Sequence, residues 1–236
     1  MCMQENKLII LGHSNGGVPI LMDLAFELFG YSDFDILKNI DLPDCEFPSE
    51  LYKAVHYFEQ DYKFNDNKHL KVHFGVQHPS VKYLLHYLYK DKHNVQDDRF
   101  IDMIHSSTYI APSAQHGGGL MVEPNAVISS MAKLGFAVTV KRSASIGHHA
   151  ILGDYVNINP GAILSGFVEV GFAAEIGTGA VISNNIKIGE RSLIGAGSVV
   201  TRDIPDGVIA FGNPCKPIRD NERWDKIPYP YISQTF

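Results

Sequence analysis

Two groups of residues in this sequence could do chemistry: an adjacent pair of histidines in a glycine-rich repeat, and a serine in a glycine-rich turn near the N-terminus. The pair is His148 and His149, and the turn runs from Gly12 to Gly17 with the sequence Gly-His-Ser-Asn-Gly-Gly. Imidazole has an ordinary pKa near neutrality, so a rigidly held histidine can act as a general base. Backbone amides of a glycine-rich turn at a helix start can bind phosphate. The sequence therefore suggests proton transfer at one place and phosphate binding at the other.

The histidine pair lies within a repeat of six residues. An aliphatic residue stands at every sixth position from Ile110 to Val200, and among the 16 positions of this register only His116 departs from it. Four residues after most of these anchors comes a small or aliphatic residue, as at Ala144 and Ala162. Residues two apart on a strand point to the same side, so each hexad predicts a short strand with two inward side chains, followed by a turn. The repeat therefore predicts a β-solenoid.

A β-sandwich is the alternative to the solenoid, but its strands of irregular length would not keep one six-residue register from residue 110 to residue 205. The turns of a solenoid need residues that tolerate tight or positive-φ geometry. His148 has a turn position in its hexad, so we expect its ring to project outward; the alternative is an exposed corner residue without a chemical role. The residues that suit the turns are Gly147, Gly153, Asp154, Gly161, Gly177, Gly179, Asn184, Asn185, Gly195 and Gly197.

The N-terminal half follows a different pattern, in which strands alternate with helices. This alternation predicts a small Rossmann-like α/β domain with a parallel sheet. The expected elements are strands at residues 7–11, 33–37 and 70–75 and helices at residues 18–29, 49–59 and 79–89. A ligand would bind at the carboxyl ends of the strands. The residues expected there are Ser14, Asn15, Gly16, Asn39 and Gly75.

Three other functions fit the N-terminal half less well. The turn lacks the full Gly-x-Gly-x-x-Gly pattern and no acidic residue ends the second strand, so we do not expect a nicotinamide cofactor. The segment Gly12 to Gly16 matches the Gly-x-Ser-x-Gly elbow of hydrolases, but that elbow normally follows several strands and this turn follows the first. His69 and His73 are four residues apart, a spacing that does not converge on one metal ion in a strand, so we expect no metal site.

Composition and charge argue against several partners. The formal net charge is -6, with 20 Lys and Arg against 26 Asp and Glu, and no basic run is present, so we expect no nucleic-acid partner. No apolar stretch approaches the roughly 18 residues that span a bilayer, and the N-terminus has no signal-peptide core, so we expect no membrane partner and a cytoplasmic location. Cys2, Cys45 and Cys215 are too few and too far apart for a disulfide framework.

The chain resembles the hexapeptide-repeat acyltransferases in two segments. They are Ile-Gly-His-His-Ala-Ile-Leu-Gly-Asp-Tyr-Val-Asn-Ile-Asn-Pro-Gly-Ala from Ile146, and Ile-Gly-Ala-Gly-Ser-Val-Val-Thr-Arg-Asp-Ile from Ile194. Within this family the resemblance is to sialic acid O-acetyltransferases of the NeuD type and to nucleotide-amino-sugar N-acetyltransferases of the PglD and perosamine types. It covers nearly the whole chain. It implies a left-handed parallel β-helix with three hexads per coil, a homotrimer, and acetyl-CoA as a cosubstrate that lies between neighbouring helices.

The resemblance also implies roles for individual residues. His148 stands where the family has its catalytic histidine, the general base. Ser14, Asn15 and Gly16 have the position of the turn that contacts the nucleotide of the substrate. Gly166 has the position that supplies an N–H donor to the developing oxyanion. The residues implied to contact acetyl-CoA are Asn157, Gly166, Thr178 and Ala196.

The sequence departs from the family pattern at five positions. Lys38 and Asn39 stand in place of the acidic pair after the second strand. His149 stands where Asp, Glu or Asn usually orients the catalytic ring, and a second cation there would make His148 a weaker base. Lys141 and Asn157 replace the usual Asn and His on either side of the histidine pair.

These features predict three parts and one activity. Residues 1–108 form the Rossmann-like nucleotide-sugar-binding domain, residues 109–205 the left-handed β-helix, and residues 206–236 a C-terminal cap or tail. The expected function is acetyl-CoA-dependent N-acetylation of a nucleotide-linked amino deoxysugar, of the UDP-4-amino-sugar type, in the synthesis of bacterial surface glycans such as the O-antigen of lipopolysaccharide. The alternatives are a sugar O-acetyltransferase of the sialic acid kind and a non-catalytic solenoid scaffold.

Overall fold

The computed structural model of the protein describes residues 6–40, 43–44, 50–225 and 227. The chain divides into two compact units, one of residues 1–77 and 85–103 and the other of residues 78–84 and 104–236. The boundaries at residues 108 and 205 stay predictions. Of the three cysteines, Cys2 and Cys45 lie outside the described residues, and Cys215 is a buried free thiol.

The first unit is built on a four-stranded parallel sheet. Its strands are ordered β3-β2-β1-β4, so the central strand β1 pairs with both β2 and β4. The strand order reverses at β1, which places the switch point of the sheet at the carboxyl ends of β1 and β4. The elements are β1 (Lys7–Leu11), α1 (Gly17–Phe29), β2 (Asp33–Lys38), β3 (Lys53–Phe58) and β4 (Lys71–Phe74), followed by α2 (Pro79–His93), which has residues in both units.

The predicted helix at residues 49–59 is wrong, because the structure has strand β3 there. The segment Lys-Ala-Val-His-Tyr-Phe is rich in β-branched and aromatic residues, which favour a half-buried strand. It pairs in parallel with β2 along its whole length, from Lys53 opposite Asp33 to Phe58 opposite Lys38. The pattern of residues 53–58 alone fits either a helix or a strand. Hydrogen bonding to β2 decides that the segment is a strand. The other predicted elements of this half are confirmed, and α2 extends to His93.

The second unit is a left-handed parallel β-helix of two-residue strands. Strands 18 residues apart stack in register, as at Ile128, Ile146 and Leu164, so three hexads make one coil as predicted. The strands are β5 (Met103–Ile104), β6 (Tyr109–Ile110), β7 (Gln115–His116), β8 (Met121–Val122), β9 (Val127–Ile128), β10 (Lys133–Leu134), β11 (Thr139–Val140), β12 (Ser145–Ile146), β13 (Ile151–Leu152), β14 (Asn157–Ile158), β15 (Ile163–Leu164), β16 (Glu169–Val170), β17 (Glu175–Ile176), β18 (Val181–Ile182), β19 (Lys187–Ile188), β20 (Leu193–Ile194) and β21 (Val199–Val200), followed by β22 (Val208–Gly212) and β23 (Cys215–Asp220).

The β-helix has three faces, each a sheet. The five-stranded sheet is ordered β19-β16-β13-β10-β7, and the six-stranded sheet is ordered β21-β18-β15-β12-β9-β6. The eight-stranded sheet is ordered β23-β22-β20-β17-β14-β11-β8-β5. The second residue of each strand from Val122 to Val200 is buried and forms the core, which confirms the six-residue register. Burial of one such aliphatic side chain contributes about 1.5–3 kcal/mol.

Glycine serves the turns of the β-helix in two ways. Gly161 and Gly179 have positive φ, which favours glycine. Gly147 does not, but a Cβ on it would lie 2.3 Å from the carbonyl oxygen of Ser165 in the next coil. Stacking of the coils therefore excludes any side chain at residue 147. In several other turns a non-glycine residue takes the positive-φ position, and His149 is one of them, with φ 58°.

Candidate active site

His148 lies in the turn between β12 and β13, at the edge where the six-stranded and five-stranded sheets meet. Hydrogen bonds to the coils on both sides hold this turn. The His149 N–H donates to the Ser130 carbonyl at 3.0 Å, and the Phe167 N–H donates to the His148 carbonyl at 2.9 Å. The side chain of His148 is exposed. A reactive group on such a frame keeps its place relative to bound substrates.

The ring of His148 touches its neighbours on three sides. Its Nδ1 lies 3.2 Å from Nδ1 of His149, and its plane is perpendicular to the ring of Phe167, with 5.1 Å between centroids. A Cβ built on Gly166 would lie 2.6 Å from both Cε1 and Nε2 of the ring. Within the described part of the chain Nε2 has no hydrogen-bond partner. This nitrogen can therefore take a proton from a substrate.

Gly166 has two observed relationships at this edge. The absence of a side chain leaves room for the ring of His148, and the Gly166 N–H donates to Oδ1 of Asn184 at 2.9 Å. The amide predicted to bind the oxyanion is thus already engaged by a side chain of the next coil. Its role in binding acetyl-CoA stays a prediction.

The other predicted acetyl-CoA contacts lie away from His148 within one chain. Thr178 and Ala196 are exposed and follow β17 and β20, at the edge between the eight-stranded and six-stranded sheets. Their turns stack, because the Gly197 N–H donates to the Thr178 carbonyl at 2.8 Å. Asn157 begins β14 and is buried on the eight-stranded face. The structure therefore brings His148 and Gly166 together, and brings Thr178 and Ala196 together, but leaves the two pairs on opposite edges of the six-stranded sheet.

An apolar strip covers the six-stranded sheet between these two edges. The first residue of each strand points outward, and four of them are exposed apolar side chains. They are Tyr109, Val127, Ile163 and Val181. The five-stranded sheet differs, since the outward residues next to its exposed Ile151 are Lys133, Glu169 and Lys187. One face is thus apolar and the other charged.

The outer side of the eight-stranded sheet carries a buried polar cluster that the sequence analysis missed. Lys82, on the N-terminal part of α2, is fully buried, and its Nζ donates to Oγ1 of Thr139 at 3.0 Å and to the carbonyl of Ala137. Oδ1 of Asn157 is buried there without a hydrogen-bond partner among the described residues. The sequence offers no signal for this site except a lysine within a largely apolar helical stretch.

A chain of hydrogen bonds and charges continues from this cluster. Lys141 donates to Oδ1 of Asn159 at 2.8 Å, and Nδ2 of Asn159 donates to Oε1 of Glu175 at 3.0 Å. Oε2 of Glu175 lies 3.7 Å from Nε2 of His78. Burial, with help from the nearby charge of Lys141, lowers the pKa of Lys82 to about 7, although Glu175 opposes the shift. Burial also lowers the pKa of Lys141 and the pKa of His78.

Two of the predicted substrate residues of the first unit, Ser14 and Gly75, meet at the switch point of its sheet. Oγ of Ser14 donates to the Gly75 carbonyl at 3.0 Å and accepts from the Gly17 N–H at 2.9 Å. Asn15 and Gly16 are exposed just before α1. Asn39 follows β2, where its Oδ1 accepts from the Tyr89 hydroxyl at 3.0 Å. Ser14 and Gly75 are thus in contact, and the hydroxyl of Ser14 holds the turn that presents the helix N-terminus.

A second group of polar side chains lies at the carboxyl ends of β1, β2 and β3. Lys38 donates to Oδ1 of Asp44 at 2.6 Å, and Nδ1 of His56 lies 3.7 Å from Oδ2 of the same carboxylate. The ring of His13 packs against His56 with 5.3 Å between centroids. The hydrogen bond from Lys38 lowers the pKa of Asp44, and burial lowers the pKa of His56. Lys38 stood out in the sequence as a departure from the family pattern, whereas nothing in the sequence marked His13 and His56 as neighbours.

No group of three or more His, Cys, Asp or Glu side chains among the described residues could hold a metal ion. None of the helices in that same part of the chain is long and apolar enough to cross a membrane. His73 lies in β4 and His69 precedes it, so the two are not on one helix.

Residues 167–202 match the family model for the bacterial transferase hexapeptide, six repeats. The chain carries the hexapeptide repeat of bacterial transferases. No curated protein matches it.

Several solved structures are similar to this hexapeptide-repeat chain over most of its length. The acetyltransferase domain of PglB from Neisseria gonorrhoeae FA1090, in complex with acetyl coenzyme A, is 26% identical, with a TM-score of 0.74 over 90% of this chain and 99% of that one. A variant of perosamine N-acetyltransferase from Caulobacter crescentus, in complex with CoA and GDP-perosamine, is 24% identical, with a TM-score of 0.73 over 91% and 97% of the two chains. WeeI from Acinetobacter baumannii AYE is 22% identical, with a TM-score of 0.66 over 90% and 100%.

These similarities confirm the predicted fold, a Rossmann-like α/β domain followed by a left-handed β-helix. They also confirm the resemblance to hexapeptide-repeat sugar acetyltransferases and the prediction of an acyltransferase. The roles of individual residues stay predictions.

Proposed function

We propose that this hexapeptide-repeat protein is an acetyl-CoA-dependent N-acetyltransferase that acetylates the amino group of a nucleotide-linked amino deoxysugar. One observation carries the proposal. Nε2 of His148 stands unbonded, within the described residues, at an exposed and well-held turn of a β-helix similar to that of an acetyltransferase domain in complex with acetyl-CoA. The position has what a general base needs, an accessible lone pair on a stiff support.

In the proposed reaction the proton moves through His148. The sugar amine attacks the thioester carbonyl carbon of acetyl-CoA, forming the C–N bond, and gives its proton to Nε2. The C–S bond then breaks, and the departing thiolate takes that proton, which returns His148 to its neutral form. An unprotonated amine is a better nucleophile than a hydroxyl and asks less of the base, which favours N-acetylation over O-acetylation.

The acetyl-CoA site is proposed to lie between two copies of the chain. Thr178 and Ala196 line an edge of small residues, and a Cβ on neighbouring Gly179 or Gly197 would meet nothing within 4 Å. This edge therefore has room for the long, thin pantetheine arm of acetyl-CoA. His148 lies on the other edge of the six-stranded sheet, so acetyl-CoA bound at the Thr178 edge of one copy would meet His148 of a neighbour. The Gly166 N–H can bind the oxyanion if the exposed side chain of Asn184 turns away.

The proposed assembly is a homotrimer. The apolar strip of Tyr109, Val127, Ile163 and Val181 is exposed on one face only, between the two edges that must meet for the site to be complete. Burying this strip against a second copy would remove apolar surface from water at about 25 cal/mol per Å². A closed ring of three copies completes three sites, each with a His148 from one copy and a Thr178 from the next.

The substrate is proposed to be a nucleotide sugar of the UDP-4-amino type, used in bacterial surface-glycan synthesis. Its phosphates would bind at the N-terminus of α1, near Asn15 and Gly16. Acetyl-CoA is a cytoplasmic metabolite, so the proposed reaction takes place in the cytoplasm.

The test is incubation of the protein with acetyl-CoA and a panel of UDP-, dTDP-, GDP- and CMP-linked sugars, following CoA release and the mass of the product. We expect one acetyl group on an amino sugar, as an amide that survives mild base. An ester that mild base cleaves would instead support the O-acetyltransferase. No CoA release with any acceptor would support the scaffold and overturn the proposal.

The role of His148 is tested by His148→Ala, with His116→Ala as the matched control. Both histidines are exposed on the β-helix, but His116 is the residue that breaks the repeat on the five-stranded face. We expect His148→Ala to lower kcat by about 100-fold or more, because removing a general base typically costs that much, and to leave the far-UV spectrum unchanged. Full activity of His148→Ala would overturn the assignment of the base.

A further inference from the structure

The rings of His148 and His149 lie within hydrogen-bond distance of each other. Their Nδ1 atoms are 3.2 Å apart, a distance that requires one N–H and one lone pair between them. Two rings that both carried a proton on Nδ1 would repel each other at this distance. The sequence suggests that His149 acts as a second cation beside His148. In the structure His149 instead faces His148 as a hydrogen-bond partner.

Two features hold the ring of His149 in place. Its backbone has φ 58°, in the left-handed region, and its N–H is bonded to the Ser130 carbonyl. Its ring stacks on Phe167, with 4.7 Å between centroids and 20° between planes. The two rings of the pair are nearly perpendicular, at 88°, so an edge of His149 points to His148. These contacts hold the ring of His149 with its Nδ1 directed at Nδ1 of His148.

We propose that His149 is a positioning residue for the reaction, whose Nδ1 accepts the Nδ1–H of His148 and thereby keeps Nε2 of His148 free to act as the base. This inference rests on the proposed function. In the opposite arrangement His149 would donate, His148 would carry its proton on Nε2, and no lone pair would face the substrate. When Nε2 takes the proton from the substrate amine, His148 becomes a cation and its hydrogen bond to His149 strengthens.

The two turns stacked on the histidine pair carry no charged side chain. The turns stacked on either side, residues 129–132 and 165–168, have the sequences Ser-Ser-Met-Ala and Ser-Gly-Phe-Val, none of which titrates. In this chain the imidazole of His149 therefore holds the ring of His148 in its orientation. A carboxylate at residue 149 would hold the ring through its charge.

The kinetic test compares His149→Phe with His149→Asp. Phe167 occupies the corresponding turn position of the next coil with φ 58°, so phenylalanine fits this backbone and can keep the stack while removing the acceptor. Aspartate restores an acceptor. We expect His149→Phe to lower kcat by about 10- to 100-fold with little change in the KM for acetyl-CoA, and His149→Asp to recover most of it.

A second measurement needs no acceptor sugar. In the protein labelled with 15N-histidine at mildly alkaline pH, we expect His148 to carry its proton on Nδ1, and to change tautomer in His149→Phe. A wild-type His148 protonated on Nε2, or equal kcat for wild type and His149→Phe, would overturn the inference. Absence of turnover by the wild type with every acceptor would overturn the proposed function instead, and the tautomer would still decide the inference.

Discussion

The ring of His148 occupies the space that a side chain at residue 166 would need, since a Cβ on Gly166 would lie 2.6 Å from both Cε1 and Nε2. His148, the proposed base, and the glycine of the next coil therefore fit each other closely. The clash involves only the end of an exposed side chain, so an added methyl group would displace the ring and leave the backbone in place.

Gly166→Ala should therefore impair catalysis and preserve the fold. We expect kcat to fall by about 10- to 100-fold, because a shift of roughly 1 Å in a reacting group can cost that much. The measurement is steady-state kinetics together with a thermal melt. Gly207→Ala is the control for backbone strain: its Cβ would meet nothing within 4 Å but its φ is +66°, so it should lower the melting temperature and leave kcat unchanged. Unchanged kcat in Gly166→Ala would show that the ring does not work from this position.

Gly147→Ala should impair the fold. Its Cβ would lie 2.3 Å from the oxygen and 2.4 Å from the carbon of the Ser165 carbonyl, which is backbone and cannot turn aside. We expect the free energy of unfolding to fall by about 1–3 kcal/mol, as for other overpacked sites, measured by urea titration. A midpoint equal to that of the wild type would contradict the close stacking of the coils.

Ile163→Glu should break the proposed trimer, because it places a charge in the apolar strip. Ile151→Glu is a closely matched control: the two isoleucines are 47% and 48% exposed, but Ile151 lies among lysines and glutamates on the five-stranded sheet. Light scattering after size-exclusion chromatography should show a monomer for Ile163→Glu and a trimer for Ile151→Glu and the wild type. Dissociation by both variants, or by neither, would argue against this face as the interface.

Lys82 should make the stability of the protein depend on pH. Its pKa is about 7 in the folded chain against 10.5 as its ordinary value, so between these limits the unfolded chain binds more protons. The free energy of unfolding therefore rises with pH from about 7 to about 10.5, with a slope of up to about 1.4 kcal/mol per pH unit from this group.

The check on Lys82 is urea unfolding at several pH values of the wild type, Lys82→Met and Lys133→Met. Methionine keeps the length and apolar stem of lysine without its amine. We expect Lys82→Met to reduce the pH slope and Lys133→Met, at an exposed lysine, to leave it unchanged. The same slope in Lys82→Met and the wild type would show that Lys82 is not the group that titrates.

Much of the fold could be predicted because its rules are local. An aliphatic residue every six positions predicts the β-helix, since each hexad buries its own anchor whatever the rest of the chain does. The strand, glycine-rich turn and helix at the N-terminus follow from short patterns in the same way. Residues 53–58 were the exception, because an edge strand is decided by the partner with which it pairs, here β2.

The site could be predicted only in part. The turn position of His148 follows from the register of the repeat, and so does its exposure. Its contacts do not, because they come from residues one coil away: Ser130, Gly166 and Phe167 lie about 18 positions from the histidine pair. Lys82 lies farther still from Thr139, and nothing in either segment indicates the other.

The sequence by itself determined the sixfold winding of the β-helix, the small parallel sheet before it, and the turn on which His148 stands. The tertiary structure alone decided that β3 is a strand, that His149 faces His148 as a hydrogen-bond partner, and that Lys82 is buried on the eight-stranded face. The physical reason is range: periodic burial acts between residues a few positions apart, whereas ring contacts, hydrogen bonds between coils and the loss of water around a charge depend on residues that only folding brings together.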